Sequence, residues 1–318
     1  MTINVRVPAT TSNLGAGFDC VGVAVSRWLR LSAHLAETGG GVRIERHGTL
    51  RELTLAPEQD LLVAGFAAAC GAAARPVPAG LVFRAISDIP IARGLGSSAA
   101  ALVAGAVAAD RLLQLELGDD ALTAVAARVE GHPDNVAAAV RGGATLAVAH
   151  AGGGYITRAL AVHPSLVLVF AIPDFAVATE RARAALPALL PHTAAALAAS
   201  RAAALVAGLA TGDRALLAAG LADELHVPFR RALVPGYDVV TAAAVAAGAA
   251  GATLAGSGSS VVAVASTERA EAVGAAMVHA WRAGGIAADT FTSCPGDVGG
   301  YEAVRRPTTG DVPSSLEV

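Results

Sequence analysis

Gly94-Leu95-Gly96-Ser97-Ser98 forms a short glycine loop between Ile89-Pro90 and the alanine-rich run of residues 99–109. Glycine has no Cβ, so this loop can turn tightly and bring its backbone close to a ligand. The run after it is long enough for a helix, whose first amide groups and positive end would face the same ligand. The stretch therefore predicts an anion-binding loop at a helix N-terminus. The alternative is a glycine turn that only starts a core helix.

The basic residues of the chain restrict the kind of phosphate site that it can build. All 23 residues counted as Lys plus Arg are arginine. A Walker-type loop needs Gly-Lys-Ser/Thr, a protein kinase needs a strand lysine, and a pyridoxal enzyme needs a Schiff-base lysine. These three classes are excluded. If the loop binds nucleotide phosphates, then backbone amides, hydroxyl groups, a metal ion and arginine have to neutralise them.

Length and composition indicate two domains and argue against nucleic-acid binding. The chain has 318 residues, 54% of them hydrophobic, which fits two domains of ordinary size. Its formal net charge of −3 and the lack of a basic stripe argue against nucleic-acid binding. Three widely spaced cysteines without a Cys-x-x-Cys pair favour the reduced cytoplasm. Residues 239–267 carry no charge, but they are rich in alanine, glycine and serine. We therefore interpret them as a buried helix, strand, loop and strand, and expect no membrane span.

Strand and helix patterns alternate irregularly along the chain. This predicts two α+β domains rather than one doubly wound parallel sheet. We place the first domain at residues 1–160 and the second at residues 161–304. Residues 305–318 contain prolines and small polar residues, so we expect a mobile tail there.

The N-terminal third shows the local signals on which this division depends. A strand is predicted over residues 3–7, and Pro8 is expected to end it. A polar loop then leads to a second strand over residues 21–35. A further short strand is predicted over residues 53–55, and Asp60 is expected to cap the helix that follows.

Glu130-Gly131-His132-Pro133-Asp134-Asn135 is the second dense polar cluster. A carboxylate there can ligate Mg²⁺, which prefers oxygen ligands, and a serine of the glycine loop can complete the protein's share of the shell. The histidine and the asparagine can then orient a substrate hydroxyl. Taken alone, Asp134-Asn135 after a proline is more often a helix cap or a turn than a functional site.

Arginines and a second glycine loop in the C-terminal half supply further candidates. Arg183 and Arg230 lie in otherwise apolar helical stretches, where a guanidinium can hold a carboxylate or a phosphate through paired hydrogen bonds. The alternative is a solvated face, or for Arg183 an intrahelical pair with Glu180. Residues 256–260 are predicted to form another anion-facing loop or a tight hairpin.

Three loops taken together resemble the motifs of the GHMP small-molecule kinases. The first is Pro8-Ala9-Thr10-Thr11-Ser12-Asn13-Leu14-Gly15-Ala16-Gly17-Phe18-Asp19, the second is residues 90–101, and the third is Gly256-Ser257-Gly258. Within that superfamily, the motif sequences are similar to those of the homoserine kinases. They are Asn-Leu-Gly-x-Gly-Phe-Asp, then Glu-Gly-His-x-Asp-Asn-Val, then Ala-Arg-Ala-x-Leu-Pro. The resemblance covers nearly the whole chain except the tail.

The resemblance implies a fold and an activity. The fold is the α+β GHMP kinase fold, with a ribosomal-protein-S5-like N-terminal domain and a ferredoxin-like C-terminal domain. The activity is transfer of the γ-phosphoryl group of ATP, with Mg²⁺, to the side-chain hydroxyl of L-homoserine in threonine biosynthesis. The alternatives are a GHMP kinase for another small alcohol of the mevalonate or shikimate type, and a catalytically silent binding protein. A homodimer is the default expectation.

The resemblance also assigns site residues. Ser98, rather than Ser97, and Glu130 are expected to hold Mg²⁺. The residues expected at the amino acid are Asn13, Asp19, His132, Asn135, Arg183, Arg230 and Gly256, with the two arginines on its carboxylate. The residues expected at ATP are Pro90, Ile91, Ala92, Arg93, Gly94, Leu95, Gly96, Ser97, Ser98, Ala99 and Ala100. The residues expected to be catalytic are Ser98, Glu130, Asp134 and Asn135. Since an amide cannot act as a general base, we expect catalysis by positioning and charge neutralisation.

Two positions depart from the family pattern. Ser259 follows Gly258 where the third motif usually has proline, so we expect a less stiff loop. Leu61 stands where the adenine-side segment usually has asparagine. The family's contacts to the nucleobase are therefore not carried over to this chain.

Overall fold

A computed structural model of the chain describes residues 1–36, 40–150 and 154–307. Its strands are β1 (Thr2–Ser12), β2 (Val21–Leu35), β3 (Arg43–Gly48), β4 (Leu81–Ser87), β5 (Ala144–Ala149), β6 (Tyr155–Leu160), β7 (Leu166–Pro173), β8 (Gly251–Leu254), β9 (Val261–Ser266), β10 (Ala288–Ser293) and β11 (Glu302–Arg306). Its α-helices are α1 (Leu61–Ala72), α2 (Ser97–Leu113), α3 (Asp119–Glu130), α4 (Asp134–Arg141), α5 (Thr179–Ala184), α6 (His192–Thr211), α7 (Arg214–Leu221), α8 (Val227–Arg230), α9 (Tyr237–Ala246) and α10 (Ala270–Ala283). The α+β class is confirmed.

The first sheet has the order β11-β1-β2-β4-β3, and β5 pairs with both β2 and β6. Helix α2 packs against β1 and β2, with α1 and α3 beside it. Small residues let the backbone of α2 lie in direct contact with the backbone of α1. A Cβ at Gly105 would lie 2.0 Å from the Leu62 carbonyl oxygen, and one at Gly65 would lie 2.1 Å from that of Leu102. The alanine- and glycine-rich run therefore seats α2 firmly in the core, and so fixes the direction of its N-terminus.

The second sheet is antiparallel, with the order β10-β7-β9-β8. Helices α9 and α10 pack on it, and residues such as Val169, Val261, Val273 and Trp281 form its separate core. Strand β11 returns to the first sheet, where it pairs with β1. The division of the chain at residue 160 stays a proposal, which the change of sheet between β6 and β7 supports.

The structure places part of the expected tail in a strand, and it tests the interpretation of the uncharged residues 239–267. Arg305 and Arg306, placed in the tail, lie in β11, whereas residues 308–318 fall outside the described residues. The predicted order of helix, strand, loop and strand in residues 239–267 is confirmed, because they contain most of α9 followed by β8, a loop and β9. The helix is only partly buried, since Val239 and Val245 are exposed. Among the described residues, α6 alone is long and apolar enough to cross a membrane, which is weak evidence for a span. Its Leu205 and Gly208 lie against α7.

Two local predictions are wrong, and two are confirmed. Strand β1 does not end at Pro8 but continues to Ser12 after a register shift between Pro8 and Ala9. Strand β11 pairs only as far as Arg6, so the missing N–H of Pro8 breaks no ladder on that side. Residues 53–55 form no strand, because Leu53 and Leu55 line an apolar cavity instead of joining a sheet. The strand over residues 21–35 is confirmed, as is the Asp60 cap, whose carboxylate accepts the Leu62 N–H.

Candidate active site

The glycine loop connects the end of β4 to the start of α2 at Ser97. Gly94 and Gly96 have φ of +73° and +64°, in the left-handed region that favours glycine. A Cβ at Gly94 would lie 1.9 Å from the Ala255 carbonyl oxygen. One at Gly96 would lie 2.0 Å from the Thr10 hydroxyl. Both positions therefore require glycine. The N-cap of α2 makes no side-chain cap bond, so its first amides can serve an anion.

One cavity of about 60 Å³ collects most of the predicted site residues. Those on its wall are Asn13, Ala92, Gly94, Leu95, Gly96, Ser97, Ser98, Glu130, His132, Asn135, Arg183, Arg230 and Gly256. Three further wall residues were not predicted, namely Ser12, Thr179 and Ser257. All three glycine-bearing loops and both arginines thus line one cavity, although Asn13 and Gly256 are 243 positions apart in the sequence.

Seven predicted residues lie off this wall. They are Asp19, Pro90, Ile91, Arg93, Ala99, Ala100 and Asp134. Ala99 and Ala100 are fully buried in α2, on its core side, so their side chains do not reach a phosphate in the cavity. The Arg93 guanidinium donates to backbone carbonyls on the opposite side of the loop. The expectation that this arginine neutralises phosphate is therefore not supported by its position.

Ser98 and Glu130 lie together where α2 begins and α3 ends. The Ser98 hydroxyl donates to a Glu130 carboxylate oxygen at 2.5 Å. Burial raises the pKa of Glu130, while the hydrogen bond from Ser98 opposes this rise. Two oxygen donors side by side fit a hard cation such as Mg²⁺. Among the described residues, no three His, Cys, Asp or Glu side chains form a metal-binding group. A cation here would therefore take its other ligands from phosphates and water.

The second polar cluster is held by the first turn of α4. The Asp134 carboxylate pairs with Nδ1 of His132 at 2.9 Å and accepts the Asn135 N–H at 2.7 Å. Burial lowers the pKa of His132, but Asp134 outweighs it and the net shift is upward. The Asn135 amide nitrogen donates to the Ser12 hydroxyl at 2.8 Å, and its oxygen accepts from Thr10 at 2.9 Å. Asp134 and Asn135 thus begin a helix, as one alternative held, and Asn135 also lines the cavity.

The two arginines approach the cavity from the helices that follow β7. Arg183 forms a two-pronged ion pair with Asp19, at 3.0 and 2.7 Å, instead of pairing with Glu180. Arg230 is 1% exposed and its Nε donates to the Ala182 carbonyl. Within the part of the chain that the structure describes, its buried Nη1 has no hydrogen-bond partner. Neither arginine lies on a fully solvated helix face.

The Phe18 ring lies close to both of these arginines. Its ring centroid lies 5.2 Å from the Arg230 guanidinium carbon and 5.7 Å from that of Arg183. The buried ring of His226 stacks on Phe18 at 5.1 Å. Burial and the neighbouring Arg183 lower the pKa of Arg230 to about 10. A desolvated guanidinium with a spare donor is well suited to a carboxylate.

The third loop joins the other two through its backbone. The Gly256 N–H donates to the Ser12 carbonyl at 2.9 Å, and a Cβ at Gly256 would lie 2.9 Å from the Gly94 carbonyl oxygen. Ser259 is fully buried and its hydroxyl donates to the Phe175 carbonyl at 2.5 Å. This bond fastens the loop, so Ser259 contributes a tether where the family pattern has proline.

An apolar cavity of about 320 Å³ adjoins the phosphate side of the site and shares Ser97 and Ser98 with it. Its wall includes Leu29, Leu50, Leu53, Leu55, Leu61, Leu62, Ile91, Ala101 and Ala178. Leu61, the departure from the family pattern, thus adds apolar surface. The polar pair on this wall, Arg46 and Asp60, is already joined at 2.6 Å.

Comparisons with known proteins agree with this geometry. The model of the GHMP kinases N terminal domain matches residues 62–143, and that of the GHMP kinases C terminal domain matches residues 202–283. A homoserine kinase of Synechococcus sp. is 41% identical over 90% of this chain and 93% of its own length. One of Gloeobacter violaceus is 42% identical over 87% and 92%.

Solved structures give the same result. The crystal structure of homoserine kinase from Cytophaga hutchinsonii has a TM-score of 0.85 and 30% identity, and covers 95% of this chain and 97% of its own. A mevalonate kinase of L. major, at 17% identity and a TM-score of 0.66, shares the fold. The predicted family and fold are confirmed: the chain belongs to the GHMP kinases and, among them, to the homoserine kinases.

Proposed function

We propose that this chain transfers the γ-phosphoryl group of ATP to the side-chain hydroxyl of L-homoserine, giving O-phospho-L-homoserine and ADP on the route to threonine. The observation that carries the proposal is the wall of one cavity. A glycine loop and the Ser98–Glu130 pair lie on one part of it, and Arg183 and Arg230 lie on another. A site of this kind can hold a triphosphate and a small carboxylate together.

ATP is placed by the loop and by the apolar cavity. The triphosphate lies against the backbone of Gly94 and Gly96 and the N-terminus of α2, and the nucleobase enters the leucine-lined cavity. Ser98 and Glu130 would hold Mg²⁺, which would neutralise charge on the transferring phosphoryl group. Since no lysine is available, these groups have to supply the charge neutralisation.

Homoserine is placed by the residues on the other wall. Arg183 and Arg230 bind its carboxylate, and Asn13 and His132 lie at its amino and hydroxyl groups. Asp19, which lies off the wall, acts on the substrate through its ion pair with Arg183. Asn135 contributes a fixed amide rather than a mobile one, because Ser12 and Thr10 already hold it. The close backbone of Gly256 completes the pocket.

Catalysis then proceeds by positioning and charge neutralisation. Asn135 cannot accept a proton, and the Asp134 carboxylate is fully buried and lies off the cavity wall, away from the substrate hydroxyl. We infer that the hydroxyl proton passes to phosphate or solvent, and that the residues act by holding the hydroxyl in line with the γ-phosphorus. Asp134 contributes by orienting His132.

The function is tested by ADP release with ATP, Mg²⁺ and separate acceptors. We expect turnover with L-homoserine and background rates with mevalonate, shikimate and galactose. Turnover with another alcohol but not with homoserine would refute the substrate. No turnover with any acceptor would favour a silent binding protein.

Replacing Arg183 by alanine separates acceptor binding from nucleotide binding. We expect the KM for homoserine to rise about tenfold, the effect of one charge-assisted contact, with the KM for ATP nearly unchanged. Arg181→Ala is the matched control, since Arg181 is an exposed arginine on the same helix α5. Equal damage to ATP and homoserine would mean that Arg183 has been misplaced.

We also propose the partners, the cellular location and the oligomeric state of the enzyme. Its partners are ATP and homoserine, with no nucleic acid and no membrane, and we place it in the cytoplasm, as the free cysteines Cys20, Cys70 and Cys294 favour. A homodimer is proposed as the oligomeric state. Light scattering coupled to gel filtration measures it directly, and a monomer mass would contradict it.

A further inference from the structure

Arg93 is part of the glycine loop, but its side chain does not face the phosphate cavity. The wall of that cavity includes Ala92 and Gly94 on either side of it and omits Arg93. Arg93 lies instead in a separate cleft of about 410 Å³ behind the loop. Segments that follow β3 and β4 of the first sheet and residues of β7 and β10 of the second line this cleft, including Glu52 after β3 and Asp174 after β7.

The Arg93 guanidinium bonds three carbonyl oxygens on two sides of the cleft. Its Nη1 donates to Ile91 of the loop itself at 3.1 Å. Its Nε donates to Pro173, the last residue of β7, at 3.1 Å. Its Nη2 donates to Asp174 at 2.9 Å. One side chain therefore joins the phosphate loop to the end of a strand in the second sheet.

The loop backbone next to Arg93 needs outside support. Ala92 has φ of +53°, a left-handed conformation that L residues with a side chain rarely adopt. The Ala92 carbonyl accepts the Val177 N–H at 3.2 Å, and the Arg93 carbonyl accepts the Ser260 N–H at 3.4 Å. Every one of these supporting contacts comes from segments that adjoin the second sheet. The loop geometry thus depends on the second sheet as well as on β4 and α2.

We propose that Arg93 is a positioning residue that fastens the phosphate loop to the second sheet, and so sets the backbone geometry on which ATP binding depends. The proposal rests on the proposed function for its nucleotide. Arginine suits the position, because its planar fork carries donors that can reach three carbonyls at once. Lysine can reach fewer of them, and methionine can reach none.

The test compares Arg93→Met and Arg93→Lys with the wild type by calorimetric titration of MgADP. We expect the Kd for MgADP to rise about tenfold in Arg93→Met, the effect of one to two hydrogen bonds lost from a charged donor, and less in Arg93→Lys. The KM for ATP should follow, and the KM for homoserine should stay within about twofold. Amide hydrogen exchange should speed up in residues 90–98 and remain unchanged in β1 and β2.

Arg282→Met is the matched control. Arg282 lines the same cleft, but its guanidinium donates to Ala288 within the second-sheet part of the chain and does not reach the loop. Its removal should leave the Kd for MgADP near the wild-type value. If Arg93→Met does not fold, Arg93→Lys carries the comparison.

Two outcomes would overturn the proposal. One is an unchanged Kd for MgADP in a folded Arg93 variant, and the other is an equal loss of nucleotide and homoserine binding, which indicates general destabilisation. Wild-type protein that binds MgADP but does not phosphorylate homoserine would contradict the proposed function instead. In that case the MgADP titration still decides the role of Arg93.

Discussion

Replacing Glu130 by glutamine is expected to lower kcat/KM by roughly a hundredfold to a thousandfold, the usual loss when one group that stabilises transition-state charge is removed. The Glu130 carboxylate lies 2.5 Å from the Ser98 hydroxyl at the start of α2. Glutamine keeps the shape and the hydrogen bond but removes the negative charge that we propose holds Mg²⁺. The half-saturating Mg²⁺ concentration should therefore rise together with the loss of rate.

Glu271→Gln is the control for Glu130→Gln. Glu271 is exposed in the first turn of α10 and lies on the wall of neither cavity, so its neutralisation should change the Mg²⁺ requirement little. In the double variant Ser98→Ala/Glu130→Gln, the losses should be less than additive, because both residues act on one ion. Full activity of Glu130→Gln at the wild-type Mg²⁺ requirement would refute the assignment.

Replacing Arg230 by methionine is expected to raise the KM for homoserine about a hundredfold, within the range for removing one partner of a buried charged contact. Arg230 is buried, and its Nη1 has no partner among the described residues, so a substrate carboxylate would meet an already desolvated donor. The KM for ATP should stay within about threefold, since the loop does not contact this guanidinium. Initial rates with each substrate varied in turn measure both constants.

Arg231→Met provides a matched comparison at the next position. The Arg231 side chain is 55% exposed and pairs with Asp238 at 3.3 Å, away from the cavity. It should change neither KM. The melting temperature of each variant separates lost binding from lost stability, because Arg230 also donates to the Ala182 carbonyl. A rise in the KM for ATP as large as that for homoserine would contradict the carboxylate role.

The sequence predicted the features that depend on local chemistry. Gly94 and Gly96 adopt left-handed φ values, and Asp60 caps α1 through its own side chain. Such demands are set by a few adjacent residues, so glycine and aspartate indicate them directly. The long alternating strand over residues 21–35 was predictable for the same reason.

The contacts that the sequence did not predict join distant positions. Thr10 supports Gly96 and bonds Asn135 from 125 positions away, and Asp19 pairs with Arg183 across 164 positions. No spacing rule encodes such pairs, because folding, not local conformation, brings them together. For Ser12 and Ser257, membership of the glycine-bearing motifs was the available signal. For Thr179, the only signal was a hydroxyl side chain near Arg183 in the predicted helical stretch.

Pro8 and Arg93 show how tertiary context can override a local signal. Proline usually ends a strand, but Pro8 lies beyond the pairing of β11 and at a bulge, so β1 continues. Arg93 in a phosphate loop predicts a phosphate ligand, but the carbonyls at the end of β7 draw its guanidinium to the other side. In both cases a neighbouring strand decides the outcome.

The central claim is that the phosphoryl group moves to a side-chain hydroxyl. Phosphorus NMR of a reaction containing ATP, Mg²⁺ and L-homoserine tests this most directly, because it distinguishes the kinds of phosphate product. We expect a phosphate monoester resonance to grow in step with ADP, with coupling to the side-chain methylene protons. Formation of ADP with inorganic phosphate alone, or of an acyl phosphate on the carboxylate, would contradict the proposed reaction.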